Sequence, residues 1–178
     1  MDRIYFSYDD IHTTVRALAE KILASGFDPD VTLAIGTGGF IPARILKTYL
    51  GKPILAVGLV HYNEKNEPNA SLKVIQWIDE VEKRLTGKKI LIIDEVDDSR
   101  ATLAYCAREL LRHRPAEVGV AVLHNKKKAK SCSIPDEVKL YVAGAEVEDM
   151  WICYPWDAAD IFEHERKAEA SKLERSLR

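Results

Sequence analysis

The chain has 178 residues, enough for one domain with a sizeable core. Its hydrophobic share of 47%, charged share of 30% and formal net charge of −2 are those of a soluble globular protein. They argue against a general nucleic-acid or membrane-surface binder, which would carry a basic excess. No apolar run reaches the roughly 18 residues that span a bilayer, and "MDRIYFSYDD" lacks a secretory apolar core, so the expectation is cytoplasmic. Cys106, Cys132 and Cys153 form no paired motif and predict neither a zinc site nor a disulfide framework.

Taken in order, Ser7 or Asp9 caps a first helix with Ile11, Val15, Leu18, Ala19, Ile22 and Leu23 at helical spacing, ending at Gly26. "VTLAI" (31–35) reads as a buried strand, "GTGG" (36–39) as a tight loop, and "FIPARILKTYL" as a second helix. "PILAVGLV" (53–60) is a strand. "HYNEKNEPNAS" (61–71) reads as a loop, with Tyr62 as a lid candidate, and "LKVIQW" as a strand leaving it. A short helix near 80–85 precedes "KKILIID" (88–94), the strongest strand. Then come the helix "TLAYCARELLRH", the strand "EVGVAVLH" (117–124), short strands at "KLYVAG" and "MWICY", and a charged helical tail over 157–178. Alternating strands and helices predict an α/β fold with a mostly parallel sheet flanked by helices. Ligands of such sheets bind beyond the carboxyl ends of the strands, where the segments 36–39, 61–71 and 94–102 fall.

The chemically unusual stretch is "ILIIDEVDDSRATL" (90–103). Asp94, Glu95, Asp97 and Asp98 follow an apolar strand within five positions and repel one another unless something compensates. Carboxylates suit Mg²⁺ as hard oxygen ligands and accept hydrogen bonds from sugar hydroxyls. Ser99, Arg100 and Thr102 then stand where a helix begins, and a helix N-terminus is an anion site. A sugar on the acidic half and a phosphate on the other suits a ribose 5-phosphate. The string also resembles the opening of a receiver domain, but "VGVAVLH" and "KLYVAG" supply no later strand ending in Asp.

The same string resembles the phosphoribosyl-pyrophosphate (PRPP) signature of type I phosphoribosyltransferases, in the form of the fungal hypoxanthine-guanine and xanthine enzymes. "IYFSYDDIH", "LAIGTGGFIPARIL", "QWID", "VLHNK" and "WICYPWDAADI" resemble further blocks, so the likeness runs along nearly the whole chain. It implies one phosphoribosyltransferase domain over 1–178, with a small hood built from the terminal segments, near 1–8 and 125–160. The activity implied is purine salvage: transfer of 5-phosphoribosyl to N9 of hypoxanthine, guanine or xanthine. The partners implied are PRPP and a 6-oxopurine, with no nucleic acid and no membrane, in a homodimer or homotetramer. The cofactor implied is Mg²⁺.

By the same resemblance, Asp94 and Glu95 hold the ribose hydroxyls, directly or through the metal, and Asp98 is the general acid/base near purine N7. Asp98, Ser99, Arg100, Ala101 and Thr102 wrap the 5-phosphate. Thr37 and Gly38 contact pyrophosphate, often through a non-proline cis bond. Lys126 reads the 6-oxo group, Trp151 stacks on the base, Ile152 adds backbone contacts, and Asp157 lies near the base edge and a metal held with Asp94 and Glu95. Many relatives carry glycine or lysine where this chain has Arg100 and Ala101, although the fungal type shares the arginine. Position 37 is Thr rather than Lys or Arg, which turns attention to Arg44 or a neighbouring subunit for a compensating cation. On spacing alone, Lys126 fits a solvated run equally well, Trp77 and Trp156 fit packing, and the five histidines share no metal-ligand spacing and read as incidental. The alternative function on the same fold is a non-catalytic PRPP- or nucleotide-sensing regulator.

Overall fold

A computed structural model of the chain describes residues 2–62 and 68–176. The chain opens with β1 (Arg3–Tyr5) and α1 (Tyr8–Ser25). Ser7 Oγ accepts from the Asp10 amide and the Asp10 carboxylate accepts from the Ser7 amide, both at 3.1 Å, a reciprocal cap that fixes where α1 starts. Gly26 ends it at φ 75°, a left-handed conformation that costs glycine little. Ile11, Val15, Leu18, Ala19 and Ile22 face the core, but Leu23, one position round the helix, is 62% exposed.

β2 (Val31–Gly36), α2 (Phe40–Leu50), β3 (Ile54–Tyr62), β4 (Pro68–Gln76) and α3 (Val81–Leu85) follow. Then come β5 (Lys89–Asp97), α4 (Ala101–Leu111), β6 (Glu117–Lys126), β7 (Leu140–Val147), β8 (Trp151–Cys153) and α5 (Ile161–Ser176). Six strands form one sheet in the order β4-β3-β2-β5-β6-β7; β4 is antiparallel to β3 and every other pair is parallel. β1 and β8 form a separate parallel pair, Arg3 opposite Trp151 and Tyr5 opposite Cys153.

The strands read as continuous apolar runs because both sheet faces are covered. Leu91, Ile93, Ala121 and Leu123 pack with the buried faces of α1 and α2. Ile90, Ile92, Val118, Val120 and Val122, the alternate residues, pack with Leu103, Cys106, Ala107 and Leu110 of α4.

Three boundaries differ from the sequence reading. β5 continues three residues past Asp94, with Val96 opposite His124 and Asp97 opposite Asn125. Most of the acidic stretch is therefore strand, and only residues 98–100 turn. The expected loop over 61–71 is instead entered by β3 and left by β4, which pair across it. Residues 63–67 and the side chain of Tyr62, the lid candidate, lie outside the described residues. The tail is helical from Ile161, and Asp157 sits in a short 3-10 turn (Pro155–Asp157) before it.

Candidate active site

A cavity of about 590 Å³ opens at the carboxyl ends of β2, β3, β5 and β6, and β8 forms another part of its wall. Its lining includes Thr37, Gly38, Asp94, Glu95, Asp98, Ser99, Arg100, Thr102, Lys126, Trp151, Ile152 and Asp157. Ala101 is the one candidate residue that does not line it. Ala101 opens α4, and its amide donates to Ser99 Oγ at 3.4 Å. Arg44 does not line the cavity either; it sits on the exposed side of α2.

The loop after β2 is held by close backbone approach. The Gly39 amide donates to Ile35 O at 2.8 Å. A side chain at Gly39 would place Cβ 2.6 Å from the carbonyl oxygens of both Ile35 and Ile93. A Cβ at Gly38 would overlap the Glu95 carboxylate, so this loop and the acidic end of β5 touch. The chain's cis peptide bond among the described residues is Gly36–Thr37, one bond earlier than the Thr37–Gly38 position the resemblance suggested.

The carboxylates divide into two kinds. Burial, then the neighbouring Glu95 charge, pushes Asp94 well above the ordinary carboxylate range. Burial raises Glu95 and Asp157 in the same direction. Asp98 goes the other way: burial would raise it, but hydrogen bonding and charge from Lys128 and Lys126 outweigh that and hold it low. Lys126 Nζ lies 3.4 Å and Lys128 Nζ 2.9 Å from Asp98 Oδ1, and both lysines also face Asp149. Lys126 is thus almost fully buried at the end of β6, not part of a solvated run. Trp151 is 41% exposed on the cavity wall, not in the core. Trp77 and Trp156 pack against the two cores, as expected.

Several contributing residues were missed from sequence. Asp97 is fully buried, and its Oδ2 accepts from Arg100 Nε and Nη2, each at 2.8 Å, and from the Tyr141 hydroxyl at 2.6 Å. The Arg100 guanidinium lies 4.9 Å from the centre of the Tyr141 ring, and Arg100 itself has φ 71°. This arginine is therefore committed to shaping the turn, and the first-turn amides of α4 that follow it point to the kind of site that takes an anion. Tyr154 donates its hydroxyl to Glu95 O at 3.1 Å, and His124 Nδ1 lies 2.9 Å from that hydroxyl. With the phenolic proton on Glu95 O, His124 carries its own proton on Nδ1 and donates it to the phenol. His124 and His164 are buried structural groups rather than incidental ones. The "WICYPWD" block already contained Tyr154; nothing in sequence marked Asp97 out from its three acidic neighbours.

Among the described residues no three His, Cys, Asp or Glu side chains converge to enclose a metal, so Asp94, Glu95 and Asp157 do not form an all-protein cage. All three are hard oxygen donors on the cavity wall, the donor type that suits Mg²⁺.

Residues 7–159 match the phosphoribosyl transferase domain family. The chain belongs to that family. This phosphoribosyltransferase is 45% identical to the hypoxanthine-guanine phosphoribosyltransferase of Schizosaccharomyces pombe, over 92% of this chain and 93% of that one. It is 39% identical to xanthine phosphoribosyltransferase 1 of Saccharomyces cerevisiae, over 95% and 96%. A solved structure of a hypothetical protein from Neisseria gonorrhoeae with bound ppGpp superposes with a TM-score of 0.88 at 50% identity, covering 95% of this chain and 97% of that chain.

Proposed function

We propose that this phosphoribosyltransferase transfers the 5-phosphoribosyl group of PRPP to N9 of hypoxanthine, guanine or xanthine, giving the nucleoside monophosphate and pyrophosphate. One observation carries the reading. A single cavity is lined by a buried acidic pair, a glycine loop, a helix start beside an ionised Asp98, and a lysine with an aromatic ring. The names of the relatives from Schizosaccharomyces pombe and Saccharomyces cerevisiae support it. A sensor on the same fold is not favoured, because the purine-side residues Lys126, Trp151 and Asp157 line the same cavity as the PRPP-side residues.

Asp94 and Glu95 bind the ribose hydroxyls. The residues 98–102 bind the 5-phosphate through backbone amides and the hydroxyls of Ser99 and Thr102. Thr37 and Gly38 present their backbone to pyrophosphate. Trp151 stacks on the purine, Ile152 meets its edge through backbone groups, and Lys126 donates to the 6-oxo oxygen. Asp94, Glu95 and Asp157 would contact Mg²⁺ arriving with PRPP, which when bound neutralises the leaving pyrophosphate. Asp98, held ionised by its lysines, takes the proton from N7 as N9 bonds to C1 of the ribose. The C1–oxygen bond breaks with its electron pair leaving on pyrophosphate. The small β1–β8 sheet serves as the hood over the base. The enzyme works in the cytoplasm as a homodimer or homotetramer; no described helix is long and apolar enough to cross a membrane. Because the Neisseria gonorrhoeae relative holds ppGpp, this cavity is also proposed to take that nucleotide in competition with PRPP.

The test is an assay with PRPP and Mg²⁺ against hypoxanthine, guanine, xanthine and adenine, with and without ppGpp. Nucleotide from a 6-oxopurine but not from adenine is expected. No product from any base would overturn the reading, and inhibition not relieved by more PRPP would overturn the competition.

A further inference from the structure

The function above uses Lys126 and Asp98, which come from different strand ends. A third residue, which lines no part of the cavity, bonds to both of those strand ends. Lys130 is 11% exposed at its side chain. Its ammonium donates to three carbonyl oxygens: Asp97 O at 2.6 Å, Asp98 O at 3.1 Å and Lys126 O at 2.9 Å. The same ammonium lies 3.6 Å from Oδ1 of the fully buried Asp97, so it faces one carboxylate as well as the three carbonyls. One of those carbonyls ends β5, one opens the turn after it and one ends β6. The next residue repeats the tie, since Ser131 donates to Ser99 O from its amide at 3.1 Å and from its hydroxyl at 3.0 Å. The sequence shows Lys130 only as the last member of a basic run, with no sign that its partners are backbone.

We infer that Lys130 is a positioning residue that clamps the Asp98 turn to the Lys126 strand end, and so sets the spacing between the group that takes the purine proton and the group that reads the 6-oxo oxygen. The inference rests on the function proposed above. The ammonium gathers three carbonyl dipoles at one point, and an aliphatic side chain there would leave the partly buried carbonyls without a donor. The turn and the strand end would then relax apart, and a misplacement of about 1 Å at reacting groups costs about a hundredfold in rate.

Lys130→Met removes the donors at similar length. Lys130→Arg keeps the charge but spreads its donors in a planar fork that cannot converge on one point. Both variants should lower kcat by about a hundredfold, with KM for PRPP changed far less. In an Asp98→Asn background the Lys130→Met loss should nearly vanish, because the group it positions is already disabled. An equal loss in both backgrounds, or full rescue by arginine, would overturn the clamp. A readout without turnover separates this from the function itself. The carbonyl ¹³C resonances of Asp97, Asp98 and Lys126 should move together in Lys130→Met and Lys130→Arg. If all three stay in place the clamp is wrong, whatever the enzyme turns over. If wild-type protein makes no nucleotide, the function is wrong and the ¹³C shifts alone decide the clamp.

Discussion

Asp94→Asn should make the ligand-free protein more stable while abolishing its affinity for PRPP. Asp94 is buried and sits beside Glu95, so ionising it costs desolvation first and like-charge repulsion second. Asparagine keeps the shape. Its carbonyl oxygen replaces Asp94 Oδ1, which accepts the Glu95 amide at 2.9 Å, and its NH₂ can donate to the Glu95 carboxylate in place of the repulsion. Relieving a functional site of this kind yields about 1 kcal/mol, or a Tm higher by about 2–4 °C at this chain length. The sign with pH is fixed. Asp94 titrates in the folded state above its ordinary value of 3.8. The advantage of the variant is therefore full above the folded-state pKa. It shrinks as pH falls through that pKa towards 3.8, because wild-type Asp94 then takes up a proton. The assay is thermal unfolding of both proteins across pH in chelator, repeated with Mg²⁺ and PRPP. Ligand should raise the Tm of wild type and leave the variant unmoved. A variant that is less stable than wild type at neutral pH, or equally displaced at every pH, would refute the account of a charge held against its own burial.

Asp98→Asn should lower kcat by about 10²–10⁴-fold with little change in PRPP affinity. Because Asp98 is held low, the same variant should be slightly less stable at neutral pH. The difference should be full above its unfolded pKa and lost as pH falls through the folded one, the reverse of Asp94→Asn. Lys126→Ala should relax discrimination between 6-oxo and 6-amino purines by about ten- to a hundredfold in kcat/KM, the worth of one hydrogen bond to a charged donor; an unchanged ratio removes Lys126 from base reading. Gly39→Ala should cost about 1–3 kcal/mol, since its Cβ meets two backbone carbonyls at 2.6 Å that cannot rotate away. A Tm equal to wild type would mean that the loop after β2 yields freely.

The strands and most helices were legible because their signal is local. Val31 to Ile35 and Ile90 to Ile93 are apolar without interruption, and Ser7 and Gly26 punctuate α1. The end of β5 was not legible, because a strand read from polarity stops where charge begins, whereas the ladder to β6 is a backbone matter and carries Asp97 on to Asn125. The residues that the resemblance named line one cavity, apart from Ala101, which opens α4. Tyr141 and Lys130 were invisible for a different cause. Tyr141 reaches the acidic turn from β7, 44 positions away in sequence from Asp97. Lys130 donates to three carbonyl oxygens, which every residue has and no sequence displays, and pairs with Asp97, 33 positions away.

The site therefore carries two opposite charge arrangements within one strand end. Asp98 is compensated in advance by Lys126 and Lys128, so it is ionised before any purine arrives. Asp94, Glu95 and Asp157 have no lysine or arginine paired with them among the described residues, and burial pushes each towards its neutral form. A group that must act as a base has to be charged at rest, and fixed lysines achieve that. For groups proposed to grip a cation-bearing polyhydroxyl ligand, a charge resisted by burial until the ligand comes lets ionisation contribute to binding rather than to the empty fold. The contact between Gly38 and the Glu95 carboxylate extends that logic to the glycine loop. Any side chain there would displace the carboxylate, and the proposed pyrophosphate loop would be uncoupled from the proposed ribose-binding pair.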